Sequence, residues 1–332
     1  MTTTAKQVIF DQFGSPEVLK LINTALPEPK AGEIIIQVAA IGVNYSDTLR
    51  RRNRYFQSTP LPFVLGSEVV GEIINTGPGV SEPFSIGTRV LAILPSGGGY
   101  ADYVCAIAQF CIPIPEEIDS RAATGIFVQG STAQLMISQV AKDVKGKTVL
   151  ITAASGGVGS LLVQLAKLNG AKVIAASSSD EKLKLAVANG ADLILNYSKP
   201  NWSAELRNFT NGKGVDIAFE TVGGDVYNET IKSLATGGHL IVYGCASGVQ
   251  GSIHPEYFVD ENLTQSGFNL AHYISNKMPI WQEAMGQVIG MVANGDLKIS
   301  TNKTFLLEDA AVAHRQVEAR ETTGKVILTP KA

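Results

Sequence analysis

Apolar positions change their spacing partway along the chain. Up to about residue 115 they come in short runs, at 7–10, 34–43, 69–74, 90–94 and 103–107, broken by glycine and proline. Short strands with turn residues between them, and few helical periods, predict an antiparallel barrel or sandwich. From residue 149 compact apolar runs alternate with amphipathic stretches, the pattern of a parallel sheet in βαβ units. Five strands are predicted there, at 149–153, 173–176, 193–195, 215–219 and 240–243. Asn169-Gly170, Asn189-Gly190 and Asn211-Gly212 close the helices between them, because both residue types accept the left-handed conformation at a helix C-terminus. Beyond residue 270 the alternation fades. A helix at 279–293 with Trp281, Met285, Val288, Ile289 and Val292 on one face reads as core packing. A helix near 309–319 and a strand at 326–328 finish the chain.

The predicted strand from residue 149 runs into Ala153-Ala154-Ser155-Gly156-Gly157-Val158-Gly159, and a helix with Leu161, Leu162, Leu165 and Leu168 follows. A glycine turn between strand and helix lets backbone N–H groups meet a pyrophosphate, and Gly159 permits close helix–sheet packing. Ala154 replaces the first glycine of the usual fingerprint. About 20 residues on, where an NAD-binding chain carries Asp or Glu for the ribose hydroxyls, stand Ala176, Ser177, Ser178 and Ser179, then Asp180, Glu181 and Lys182. Serine hydroxyls and Lys182 suit a phosphate, which favours NADPH. Asp180 as a helix N-cap is the plain alternative.

Composition narrows the class. A chain of 332 residues with 45% hydrophobic and 17% charged residues has length for about two globular domains. A net charge of -3 argues against nucleic acid as the main partner. Cys105, Cys111 and Cys245 show no CxxC pairing, so neither a disulfide framework nor a thiolate zinc cluster is expected, and a reducing cytoplasm fits. No apolar run approaches the ~20 residues of a membrane span, and the start of the chain lacks the apolar stretch of a secretion signal.

Several motifs in order carry a resemblance. Gly42-Val43-Asn44-Tyr45-Ser46-Asp47, Arg54-Tyr55, Gly66-Ser67-Glu68, Gly87-Thr88-Arg89-Val90 and Gly98-Gly99-Tyr100-Ala101 precede the glycine turn. Asn196-Tyr197, Tyr243-Gly244 and Thr323-Gly324-Lys325-Val326 follow it. Together they resemble the zinc-independent medium-chain dehydrogenase/reductase superfamily, and within it the quinone oxidoreductase (zeta-crystallin-like) branch. The resemblance implies an α/β chain: a Rossmann doubly wound parallel sheet at 126–269, and a GroES-like antiparallel β domain assembled from 1–125 and 270–332. It also implies a homodimer joined through the last Rossmann strand, near residues 263–268.

Zinc-dependent relatives hold catalytic zinc with a Cys where this chain has Asn44 and a His where it has Ser67, and only Glu68 of that set remains, so no metal is expected. Without a Lewis acid the acceptor must already be electrophilic, as quinones and alkenes conjugated to a carbonyl are. The resemblance assigns NADPH contacts to Asn44, Thr132, Gly156, Gly157, Val158, Ser177, Lys182, Tyr197, Tyr243, Gly244, Phe268 and Leu270. Asn44 and Tyr55 are the candidate catalytic residues, Tyr55 as a proton donor to an enolate or as a pocket wall. The loop departs from the family's Arg-x-Gly-x-Tyr-Pro, having Asn53 for the glycine and Phe56 for the proline. Arg50, Arg51, Arg52 and Arg54 read as a solvated or oligomer-facing run, or as an anchor for the phosphates of a thioester carrier. The expected activity is NADPH-dependent reduction of a quinone or enone. An enoyl-thioester reductase and a non-catalytic NADPH-binding sensor are the alternatives.

Overall fold

In the stretch Glu33–Val43 the isoleucines 34, 35, 36 and 41 are wholly buried while Gln37 and Ala39 stay outside, so the strand must be covered on nearly every side. It pairs antiparallel with Glu68–Thr76, Tyr103–Ile107 and Val326–Thr329. Arg89–Ile93, Cys111–Pro113 and Lys303–Leu306 extend the same seven-stranded sheet. A three-stranded sheet of Lys20–Ala25, Thr4–Phe10 and Phe63–Val64 accompanies it. The core between these elements is aliphatic, with Val8, Ile34, Ile36, Val69, Ile73 and Leu328 among its members. The computed structural model describes residues 4–330.

Two compact units result, Met1–Val128 with Ile299–Ala332, and Gln129–Lys298. The expected divisions after residues 125 and 269 are thereby shifted. The correction is small at the first and large at the second, where helices Leu270–Asn276 and Met278–Ala293 fall in the second unit. The apolar stripe of the longer helix is buried at Trp281, Met285 and Val288 as expected, but it serves the other unit. An apolar stripe announces that a helix has a buried face, not whose core receives it.

The second unit is a six-stranded parallel sheet in the order Leu193–Asn196, Lys172–Ser177, Thr148–Ile151, Val215–Glu220, Leu234–Val242, Thr264–Gly267. Numbered along the chain this is 3-2-1-4-5-6, the Rossmann doubly wound order. Strands with helices on both faces bury both faces, which explains runs such as Val173 to Ala176 with no polar alternation. The order reverses beside Thr148–Ile151, and such a switch point opens a crevice at the carboxyl ends of the strands.

Candidate functional site

Five candidate cofactor segments lie at one edge of the parallel sheet. The glycine turn follows the carboxyl end of Thr148–Ile151, Ser177 ends the second strand, Tyr197 follows the third, Tyr243 and Gly244 the fifth, and Phe268 the sixth. Hydrogen bonds between neighbours keep them level: Tyr197 N–H donates to Ser177 O at 3.0 Å, and Phe268 N–H to Val242 O at 2.9 Å. Gly156 caps the helix Gly157–Leu168, and a Cβ on Gly159 would collide with the Ala153 carbonyl, so the helix start sits directly on the strand end. Ala153 itself takes φ 47°, so the turn is tight even though Ala154 stands where the fingerprint has glycine. Val158 lies in the first turn of that helix, and Thr132 opens the helix Thr132–Leu135.

Further along this edge an open crevice of about 850 Å³ is lined by Tyr243, Gly244, Phe268, Asn269, His272 and Tyr273. The Phe268 and Tyr273 rings stack with centroids 5.4 Å apart. Leu270 begins the helix behind them. Burial next to Glu220 and Tyr197 pushes the Tyr243 phenol well above its ordinary pKa, so it stays protonated.

The segment after Ser177 has the chemistry of a phosphate site. Lys182 Nζ donates to Ser178 Oγ at 3.0 Å, and Ser179 Oγ caps the helix by accepting from Lys182 N–H at 3.4 Å. Asp180 is engaged elsewhere: Lys199 Nζ is 2.7 Å and Asn196 Nδ2 3.0 Å from its carboxylate, which hold its pKa below the usual range. A cation and hydroxyls thus face the strand end, while the nearest carboxylate has a cation of its own.

Glu220, which belongs to the run 220–223 shared with the family, has no site role in the sequence analysis. It is wholly buried at the end of the fourth strand, where its Oε1 accepts from Val222 N–H at 2.6 Å and Gly223 N–H at 3.0 Å. Burial raises its pKa against those two amides. A lone Glu closing an apolar run looks like a strand ending in solvent, so the pattern alone does not mark its burial.

The first unit holds the other candidates. Asn44 follows the strand Glu33–Val43 in extended conformation and opens the helix Tyr45–Arg51, 4% exposed. Its backbone N–H donates to Asp47 Oδ2 at 2.8 Å, and its Nδ2 donates to Glu68 Oε1 at 2.9 Å and Ser67 Oγ at 3.3 Å. Its Oδ1 accepts from Lys325 Nζ at 3.0 Å. The same ammonium forms an ion pair with Glu68, both side chains being sealed from solvent. Glu68 Oε2 also accepts from Val128 N–H at 3.1 Å. Burial lowers the Lys325 pKa, opposed by Glu68 and Asp47. Asp47 is pushed up to about 6 by burial, against the Asn44 amide and Lys325.

These contacts test a metal against the residues present. An amide, a hydroxyl and a carboxylate already bound to an ammonium make a poor donor set for zinc, and no three His, Cys, Asp or Glu side chains gather as a metal site among the described residues. The residues do not fit the ion.

Tyr55 lies in the loop after that helix, half-buried, with the Arg50 guanidinium 4.2 Å above its ring. Burial raises its phenol pKa, opposed by Arg50. Asn53 takes φ 54°, the left-handed conformation that the missing glycine would have adopted. The arginine run is not uniformly solvated. Arg51 is wholly buried and paired with Glu318, Arg52 reaches the same carboxylate, and Arg50 also donates to Gln57. The helix explains the exception: Asp47, Thr48 and Arg51 share its inner face at one-turn spacing.

Comparison with known proteins agrees with both halves. Residues 30–116 match the family described as alcohol dehydrogenase GroES-like domain, and residues 157–289 the family described as zinc-binding dehydrogenase. A probable quinone oxidoreductase of Schizosaccharomyces pombe is 31% identical over 95% of this chain and 94% of its own length. A 2-haloacrylate reductase of Burkholderia sp is 33% identical, covering 96% of this chain and 97% of that one. The crystal structure of Escherichia coli quinone oxidoreductase complexed with NADPH superposes with a TM-score of 0.89 at 28% identity, over 99% of this chain and all of the other.

Proposed function

The chain belongs to the quinone oxidoreductase branch of the medium-chain dehydrogenase/reductase superfamily, and on that premise we propose that it is a metal-independent, NADPH-dependent oxidoreductase delivering hydride to a quinone or an α,β-unsaturated carbonyl compound. The observation that carries the reading is the Lys325 ammonium on Glu68 and Asn44. A buried cation already satisfies the one carboxylate left from the zinc ligand set, so carbonyl activation by a metal has no place in the chemistry. The acceptor then has to be electrophilic by itself, which selects quinones and conjugated alkenes.

Bound NADPH would supply the hydride. The protein's part is to bind and orient. Backbone N–H groups at the start of the helix Gly157–Leu168 suit the pyrophosphate, and Ser177, Ser178 and Lys182 the 2′-phosphate. Tyr197, Tyr243, Gly244, Phe268 and Leu270, at the carboxyl edge, with Thr132, serve as further cofactor contacts. Asn44, its amide polarity set by Lys325, orients the reacting end, and the Tyr55 hydroxyl donates to the oxyanion that forms when an enone accepts hydride.

The oligomer of this reading is a homodimer. The strand Thr264–Gly267 is the last in its sheet, with Thr264, Gln265 and Gly267 exposed, so a second copy could extend the sheet there. The cytoplasm is the compartment of this reading; no helix among the described residues is long and apolar enough to cross a membrane.

The test is NADPH consumption by protein dialysed against chelator, over a panel of quinones, enones and enoyl thioesters. Turnover of quinones or enones without added metal is expected. Zinc-restored activity would overturn the metal-free chemistry, and binding of NADPH without turnover of any acceptor would leave a binding protein.

A further inference from the structure

Next to Asn44 runs a second set of buried polar contacts that the proposed reaction does not use. Arg51 Nε donates to His314 Nδ1 at 3.3 Å, and its other guanidinium nitrogens to the Gly14 carbonyl and the Glu318 carboxylate. His314 Nε2 is 2.9 Å from the Tyr100 hydroxyl, and that hydroxyl 3.5 Å from Asp47 Oδ2. Asp47 Oδ2 accepts the Asn44 backbone N–H at 2.8 Å. Arg51, Tyr100 and His314 are all 0% exposed, so these groups are sealed from bulk solvent and depend on partners inside the protein.

Elementary hydrogen-bond chemistry gives the series a direction. Arginine can only donate, so His314 Nδ1 must accept. A neutral imidazole accepting at Nδ1 carries its proton on Nε2 and donates it to Tyr100. Burial, together with Arg51 and Arg52 close by, keeps His314 neutral, its pKa lowered to about 3. With its oxygen accepting from His314, Tyr100 turns its own proton to Asp47. Every bond points from Arg51 towards Asp47.

Such a series could pass protons or hold a position, and its two ends decide between them. Arg51 does not give up a proton, and the Asn44 peptide N–H does not titrate. The series therefore holds a position. Asp47 Oδ2 has the Tyr100 hydroxyl on one side, at the long distance of 3.5 Å, and the Asn44 backbone N–H on the other, with the Gly66 backbone N–H also on this carboxylate, while Lys325 and Glu68 fix the Asn44 side chain.

We propose that Tyr100 and His314 are positioning residues for Asn44, acting through Asp47, with the His314 tautomer set by Arg51. His314 lies 214 positions after Tyr100 and comes from the helix Ala310–Glu318, so the C-terminal segment orients a residue near the start of the chain. The proposal rests on the reading of Asn44 as the residue that orients the reacting end of the cofactor.

Tyr100→Phe tests it, because only a hydroxyl is lost and the ring still fills its place. The expected result is a kcat about tenfold lower for NADPH oxidation by a benzoquinone, with the dissociation constant for NADPH and the quinone KM within about twofold of the parent. Groups acting as one series give non-additive losses, so Tyr100→Phe combined with His314→Gln is expected to be little worse than either alone. An unchanged kcat beside a lowered melting temperature would overturn the proposal, as would additive losses. A nitrogen NMR readout keeps it testable if the functional reading itself fails and no acceptor is reduced. In the parent, His314 is expected neutral with its proton on Nε2, and the Asn44 backbone amide signal shifts in Tyr100→Phe. A proton on Nδ1, or an Asn44 signal that stays in place, would sink the positioning role whatever the enzyme reduces.

Discussion

Lys325 Nζ donates to Asn44 Oδ1 at 3.0 Å, joining residues 281 positions apart, and the same ammonium pairs with Glu68. Removing one partner of a sealed ion pair leaves an uncompensated charge, which costs more than the pair contributes. Lys325→Met is expected to destabilise the protein by about 3–5 kcal/mol in urea unfolding. Adding Glu68→Gln removes the stranded charge and should recover part of that loss. A single-variant cost under about 1 kcal/mol would show that water or rearrangement reaches Glu68 easily.

How far the sequence disclosed this arrangement differs between the two units. The parallel sheet and its glycine turn were legible, because strand period, glycine turn and Asn-Gly caps are local signals that repeat with each βα unit, whereas Tyr243, Gly244 and Phe268 in the crevice came from the resemblance. The Thr264–Gly267 strand, mostly exposed and weakly apolar, lacks that signal and came only from the resemblance. The cluster around Asn44 was half legible. Asn44 and Ser67 were visible as departures from a zinc ligand set and Glu68 as its one remaining member, whereas Lys325 stands before the apolar run Val326–Thr329 and looks like any charge at a strand end. Its partner Glu68 is 257 positions away, a distance that no periodicity spans. Arg51 was misread within its run because hydrophobic patterning cannot detect a helix whose inner face is polar. The strand Lys20–Ala25, with no fully buried position, offered no alternation to find.

Cofactor choice follows from the end of the second strand. In the proposed function Lys182 and Ser178, joined by a hydrogen bond of 3.0 Å, receive the 2′-phosphate, while Asp180 is tied to Lys199. Lys182→Ala is expected to raise the Michaelis constant for NADPH about tenfold, equivalent to roughly 1.4 kcal/mol, and to leave that for NADH almost unchanged. Steady-state kinetics with both cofactors decide it. Equal losses would mean that Lys182 holds the helix or loop instead. No change for either would move the phosphate elsewhere, with Ser177 and Tyr197 the next residues to test.

Two buried groups give opposing pH dependences of stability. Burial raises Asp47 from 3.8 to about 6, so between those values the folded state keeps a proton that the unfolded chain has lost, and this contribution falls as pH rises. Burial lowers His314 from 6.5 to about 3, so across that window the unfolded chain binds a proton that the folded state refuses, and this contribution rises with pH. The charged or titratable neighbours are Lys325, Glu68 and Tyr100 for Asp47, and Arg51, Arg52 and Tyr100 for His314. From about pH 4 to 6 the two slopes cancel in the parent, each near 1.4 kcal/mol per pH unit. Relative to the parent, His314→Gln should therefore lose stability as pH rises through this window, and Asp47→Asn should gain it. Unfolding curves at several pH values would refute the assignment if both differences ran the same way.

Tyr55 separates a proton donor from a pocket wall. Its ring lies under the Arg50 guanidinium at 4.2 Å, and its phenol, raised in pKa by burial, stays protonated near neutrality. When an enone takes hydride at its β carbon, charge collects on the carbonyl oxygen, and a phenol donor there lowers the barrier by stabilising the enolate. A quinone spreads the same charge over an aromatic ring as it forms, so it depends less on a single donor. Tyr55→Phe keeps the ring and its contact with Arg50 while removing the hydroxyl. It is expected to lower kcat for enones by about a hundredfold and for quinones by much less, with KM for either changed little. If KM rises while kcat holds for both acceptors, Tyr55 is a wall of the pocket, and the proton comes from solvent or another residue.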